Sequence, residues 1–165
     1  MRLFFLFILL ISSLSVFSQE SDSIKVTADT VLAEPVLPPA VLFRTSTYED
    51  VVNEARKTNK PILLDFWATW CAPCHRLDKL TFTDVALGDY VNTNFVPYRV
   101  NIDDFSGMDI VDKYGVKTYP TMLIINSMDE SVMRVITGFY LPVYLRKELE
   151  SGLVFAPKRA TKRKK

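Results

Sequence analysis

Pro61-Ile62-Leu63-Leu64-Asp65-Phe66-Trp67 is an apolar run broken by a single acid. It is too short for a helix and shows no alternation of polar and apolar residues. Such a run suits a central strand covered on both faces. Trp70-Cys71-Ala72-Pro73-Cys74-His75 follows almost at once, and Leu77 and Leu80 then recur at helical spacing. Pro73 fits the first turn of a helix, where its missing N–H costs nothing. The two cysteines therefore belong where a helix begins, directly after a buried strand.

The surrounding pattern alternates strands with helices. Residues 41–44 read as a short strand. Thr47 suits an N-cap, with Glu49 and Asp50 in the first turn where acids favour the positive helix end. Val51, Val52 and Ala55 form the apolar face of that helix, and Asn59 and Pro61 end it. Thr83 or Asp84 caps a second short helix after the one carrying the cysteines. Residues 95–102 read as a strand, and residues 108–114 as a helix stopped by Gly115. Residues 122–125 and 132–136 form a hairpin around a turn at 127–130, and residues 141–149 a final amphipathic helix. The order β-α-β-α-α-β-α-β-β-α predicts an α/β fold, a central mixed sheet with helices on both faces.

The ends differ from this body. Arg2 precedes an apolar run over residues 3–11 that weakens toward Phe17, and Val16 and Ser18 are spaced like a signal-peptidase site ahead of Gln19. Residues 1–18 read as a secretory signal peptide. An uncleaved anchor is the rival, although about 15 apolar residues fall short of the ~20 that span a bilayer. Residues 19–40, with Pro35, Pro38 and Pro39, read as a flexible linker, residues 41–152 as the folded domain, and residues 153–165 as a basic disordered tail. The chain has 20 basic and 19 acidic residues. Setting aside Arg2 and the six bases of residues 158–165 leaves 13 against 19, a body charge of about −6. Nothing aromatic interleaves with the bases of residues 158–165, so nucleic acid is not an expected partner.

Two cysteines so close together cannot staple long loops. As half of a zinc site they lack ligands, because with His75, the only histidine, they make three. Cys71, Cys74 and His75 also fit the string used for covalent haem attachment, but a position between a buried strand and a helix argues against it. No metal or cofactor is expected. Redox chemistry has a direct physical basis. The thiolate is the nucleophile, and the unpaired N–H groups of a helix N-terminus stabilise it. On this reading Cys71 lies exposed at the terminus with a lowered pKa, and Cys74 lies one turn inside. Cys71 attacks a disulfide, and Cys74 resolves the mixed disulfide.

Asp65-Phe66-Trp67-Ala68-Thr69-Trp70-Cys71-Ala72-Pro73-Cys74 resembles the signature of the thioredoxin family. The likeness extends to Val100-Asn101-Ile102-Asp103, Tyr114-Gly115-Val116, Tyr119-Pro120-Thr121 and Gly138, in the family's order across residues 41–151. It implies a thioredoxin fold, with Cys71 as the attacking and Cys74 as the resolving cysteine. It implies that Asp65 is the buried acid moving the resolving thiol's proton, in keeping with the cost of burying an ionised carboxylate. Pro120 matches the family's cis-proline. Substrate would contact Trp70, Ala72, Pro73, Tyr119, Pro120 and Gly138, although a turn glycine also explains Gly138.

The departures from the family are Ala72, a histidine at His75, Lys79, and Arg99 where a lysine often accompanies the buried acid. Arginine does not release its proton, so Arg99 acts only by charge. His75 either favours the thiolate when protonated or faces solvent. The resemblance implies a monomeric oxidoreductase reducing protein disulfides, with disulfide-containing proteins as substrates and a membrane or soluble thiol as electron donor. Export, to the periplasm, follows from the signal, or membrane anchoring if it stays attached. An oxidase or isomerase, and a redox-inactive binding module, remain alternatives.

Overall fold

The computed structural model describes residues 40–154. The expected signal peptide, the linker up to residue 39 and the tail from residue 155 lie outside the described residues. The elements are α1 (Tyr48–Thr58), β1 (Ile62–Trp67), α2 (Ala72–Leu80), α3 (Val85–Asn94), β2 (Val96–Asn101), α4 (Phe105–Tyr114), β3 (Thr121–Ile125), β4 (Val132–Thr137) and α5 (Pro142–Val154).

The four strands form one mixed sheet in the order β2-β1-β3-β4. β1 runs parallel to β2 and antiparallel to β3, with Asp65 opposite Arg99 on one side and Met122 on the other. Successive residues of β1 point to opposite faces. Ile62, Leu64 and Phe66 pack with Val51, Val52 and Ala55 of α1 and Ile110 of α4. Leu63 packs on the opposite face with Leu77 of α2, Leu87 and Val91 of α3, and Leu145 and Leu149 of α5. Burial on both faces explains why the run lacks alternation, and each such side chain contributes about 1.5–3 kcal/mol of transfer free energy.

Local chemistry sets the helix ends. Thr47 caps α1 by accepting from the Asp50 N–H, and Asp84 caps α3 by accepting from the Leu87 N–H. Gly115 ends α4 in the left-handed region at φ 64°.

Three expectations need correction. Residues 41–44 do not form a strand but contribute one isolated bridge, Arg44 to Tyr98. The N–H groups there go elsewhere: Ala40 and Val41 donate to Phe82 O, and Leu42 donates to Asn92 Oδ1. Pro97, without an N–H, offers Arg44 only its carbonyl. Helix α4 begins at Phe105, a turn before the expected Met108. Helix α5 runs through Val154, and Leu153, expected in the tail, packs on the core. Gly152 belongs to this contact, since a Cβ there would lie 2.3 Å from Ile124 Cδ1.

Gly107 fixes how closely α4 approaches the loop after β2. A Cβ at this position would lie 1.8 Å from the Asn101 carbonyl oxygen, a backbone atom with no side-chain freedom. Gly107→Ala is expected to destabilise the fold by about 1–3 kcal/mol. The reading is a lower denaturant midpoint at unchanged slope.

Candidate redox site

β1 ends at Trp67, and residues 68–70 turn the chain into α2. Ile102 N donates to Trp67 O, and Cys71 N donates to Ala68 O, so the turn is bonded at both ends. Cys71 is the N-cap of α2. Its sulfur accepts from the Cys74 N–H at 3.3 Å, and its carbonyl accepts from the Cys74 and His75 N–H groups. Pro73 sits in the first turn, as expected. Cys71 and Cys74 are joined by a disulfide, with their Cα atoms 5.3 Å apart.

The outer cysteine is less open than expected. Cys71 is 3% exposed, hardly more than Cys74 at 1%. Ala68, Trp67, Ile102 and Tyr119 pack around the pair. The exposed groups at the site are instead Trp70, Ala72 and Pro73. Trp70 stands edge-on to Tyr119, with ring centroids 6.0 Å apart.

The structure brings the other expected contact residues to the same end of the sheet. The Tyr119–Pro120 peptide is cis, as the resemblance implied. Gly138, at φ 97°, donates its N–H to Pro120 O at 2.9 Å. The hydroxyl of Thr121 donates to Thr118 O at 2.8 Å, bracing the bend.

Two residues hold the turn in ways the sequence reading did not assign. Asp103 accepts from Thr69 N, Thr69 Oγ1 and the Trp70 indole Nε1. These bonds hold its carboxyl below the ordinary carboxylate range, the Thr69 backbone bond foremost. Its presence in the Asn101-Ile102-Asp103 string was the available signal. His75 neither faces only solvent nor turns to the sulfur. Its Nε2 lies 2.9 Å from Thr69 O, to which the ring N–H donates, and the ring lies edge-on to Trp67.

Asp65 shares a face of β1 with Leu63 and Trp67, the face covered by α2, and is 1% exposed. Arg99 Nε donates to Asp65 Oδ2 at 3.0 Å, and its Nη1 reaches Asp78 Oδ1 of α2 at 3.0 Å. Arg99 thus acts by charge, as expected, but divides that charge between two carboxylates. Cys74 and Asp78 stand four apart on α2 and so share a helix face. Burial pushes the Asp65 carboxyl up to about 6; the charge of Arg99 opposes this, and that of Asp78 adds to it. Among the described residues, Asp65 Oδ1 has no hydrogen-bond partner.

A disulfide that caps a helix, set after the central strand of a mixed sheet and rimmed by exposed aromatic and backbone groups, defines a dithiol–disulfide exchanger. The comparisons agree. Residues 48–153 match the thioredoxin-like domain family. A thioredoxin from Griffithsia pacifica is 35% identical over 109 residues, spanning 65% of this chain and 92% of that one. The solution structure of a proposed disulphide-isomerase from Bacteroides thetaiotaomicron superposes with a TM-score of 0.62 at 32% identity, over 70% of this chain and 95% of that one. The oxidised C-terminal domain of DsbD from Neisseria meningitidis shares the fold, with a TM-score of 0.56 at 19% identity over 63% of this chain and 90% of that domain. The chain belongs to the thioredoxin family. It is a thiol–disulfide oxidoreductase whose redox pair is Cys71 and Cys74.

The raised Asp65 carboxyl has a consequence for stability. In the interval between the ordinary carboxylate range and about pH 6, the folded state binds more protons than the unfolded state. Stability from this group is therefore full below that interval and falls as pH rises through it. Asp65→Asn is expected to stabilise the fold by about 1–3 kcal/mol near pH 7 and to flatten the pH dependence of unfolding free energy from about pH 4 to 7. Denaturant titrations across that range check both.

Proposed function

We propose that the protein reduces disulfides in other proteins, outside the cytoplasm. The observation that carries this reading is Cys71 at the cap of α2, its sulfur already accepting a helix N–H. In the reduced protein that position favours the thiolate of Cys71. The thiolate attacks one sulfur of a substrate disulfide, forming a mixed disulfide and expelling the other sulfur as a thiolate. Cys74, giving its proton to Asp65, attacks the Cys71 sulfur. The mixed bond breaks, the second substrate thiol leaves, and the Cys71–Cys74 disulfide closes. Two electrons pass to the substrate, and a thiol donor restores the pair.

Trp70, Ala72, Pro73, Tyr119, Pro120 and Gly138 make the surface on which the substrate lies. Trp70 and Tyr119 supply apolar contact, and the backbone flanking Pro120 supplies hydrogen-bonding groups. The reducing direction is supported by the likeness to thioredoxins and by Pro73 within the motif. The Bacteroides relative favours isomerisation as the second reading. Residues 1–18 support export with signal cleavage, and the protein acts as a monomer.

With Cys74→Ser, mixed disulfides with substrate proteins are expected to accumulate on Cys71, and with Cys71→Ser none, as read on non-reducing gels. The reduction potential is expected near the thioredoxin value of about −270 mV, not the strongly oxidising ~−120 mV. A value near the latter sinks the reductase reading. Export predicts that the mature chain begins at Gln19, and N-terminal sequencing of the protein from its native host checks this.

A further inference from the structure

Helix α4 presents an outer face that the exchange chemistry leaves unused. Phe105, Met108, Asp109 and Asp112 stand at i, i+3, i+4 and i+7, so they share one side of the helix. Phe105 is 90% exposed and Met108 52%. Asp109 and Asp112 are exposed and, among the described residues, neither enters an ion pair. Lys113, the one base of α4, is tied to Glu130. A lone exposed apolar residue is ordinary, but a group of them bordering a reactive centre marks a contact surface.

This face begins beside the disulfide rim. At its start, Asp103 holds the Trp70 indole two residues before Phe105. Gly107 seats the helix directly on the Asn101 carbonyl. Toward its other end, Asp112 acts on Tyr119, the ring that meets Trp70 edge-on: burial pushes the Tyr119 phenol up, and the Asp112 charge adds to it. Trp70, Phe105 and Met108 are thus exposed apolar groups attached to one frame, with carboxylates alongside. Apolar anchors beside unpaired carboxylates fit a partner offering apolar and basic residues together.

We propose that the outer face of α4, formed by Phe105, Met108, Asp109 and Asp112, recognises a basic, apolar-flanked segment beside the disulfide of a polypeptide partner. The proposal rests on the exchange chemistry described above and names the class of substrate it serves. Phe105 and Met108 bury apolar area against the segment. Asp109 and Asp112 attract its positive charges, which acts mainly on the association rate and is screened by salt.

The test uses the reduced full-length protein and three disulfides. Two are peptides closed by one internal disulfide, alike except that lysines or glutamates flank a leucine beside it. The third is bis(2-hydroxyethyl) disulfide, which carries no peptide segment to lie on α4. The lysine peptide is expected to react about tenfold faster than the glutamate peptide at low ionic strength, and this ratio to collapse in concentrated salt. Asp109→Asn with Asp112→Asn removes the preference. Phe105→Ser with Met108→Ser slows both peptides about fivefold. Neither pair changes the rate with the small disulfide.

Equal rates for the two peptides in the unaltered protein, or a preference that survives Asp109→Asn with Asp112→Asn, would overturn the proposal. So would light scattering that reveals a dimer abolished by Phe105→Ser with Met108→Ser, because a second copy would then cover the face. Failure to react with all three disulfides would instead remove the exchange chemistry, and the proposal with it.

Discussion

β1 is hydrogen-bonded along both edges and packed on both faces, and the position of the redox pair follows from that confinement. Its partners are β2 on one side and β3 on the other, in continuous register from Ile62 to Phe66. A strand so held can neither slip nor tilt without breaking two ladders and two apolar contacts. The chain leaves it at one fixed point, and residues 68–70 are too few to wander before Cys71. The helix begins there because Cys71 fills the cap and Pro73 fits the first turn. A disulfide closing so short a loop limits the unfolded chain little. The sheet holds the cysteines in place; they do not hold the sheet.

The same confinement makes Asp65 costly. A carboxylate enclosed on β1 forfeits several kcal/mol of hydration, and Arg99 returns only part of it. The guanidinium is shared with Asp78, and it lies over Trp67 at 4.5 Å, with Phe43 and Phe82 farther off. Burial therefore wins, and the carboxyl titrates near 6. At neutral pH most of it is ionised but readily accepts a proton, the property a resolving step requires of its base. A lysine at residue 99 could exchange protons with the acid and leave the net charge uncertain. Arginine is a fixed positive charge, so Asp65 is the member of this pair whose proton can move.

What the sequence made legible was the part fixed by neighbours in the chain. The buried run of β1, the caps at Thr47 and Asp84, the Gly115 stop and Pro73 in the first turn each depend on a few adjacent residues. What escaped depended on partners far away. Residues 41–44 have strand-like side chains, but the N–H groups of Val41 and Leu42 are taken by Phe82 O and Asn92 Oδ1. The start of α4 was hidden because Phe105 is apolar yet exposed and Gly107 answers to the Asn101 carbonyl. The length of α5 was hidden because its last turn depends on distant contacts, Gly152 against Ile124 and Leu153 against the core. The cover over Cys71 comes from Ile102 and Tyr119, each more than thirty residues away in the chain. Of the site, the cysteines, Asp65 and Pro120 could be found through the family likeness. The turn-holding bonds of Asp103 and His75 could not, because a string of residues does not say which oxygen a side chain reaches.

The covered sulfur also separates two tasks in the molecule. With Cys71 and Cys74 both nearly buried, the disulfide itself offers a partner little area to grip. The accessible surface lies at the rim, where Trp70 is 66% exposed, and the proposed substrate contacts fall there. The rim is built on the turn after β1 and on the loops before α4 and β3, while the chemistry is built on β1 and α2. On the proposed mechanism, change on the rim alters which polypeptide is admitted without disturbing the helix cap at Cys71 or the buried acid Asp65. A fold divided in this way keeps one reaction and varies its partners. Two of the departures lie behind the pair: Arg99 pairs with Asp65 and Asp78, and His75 bonds the Thr69 carbonyl of the turn.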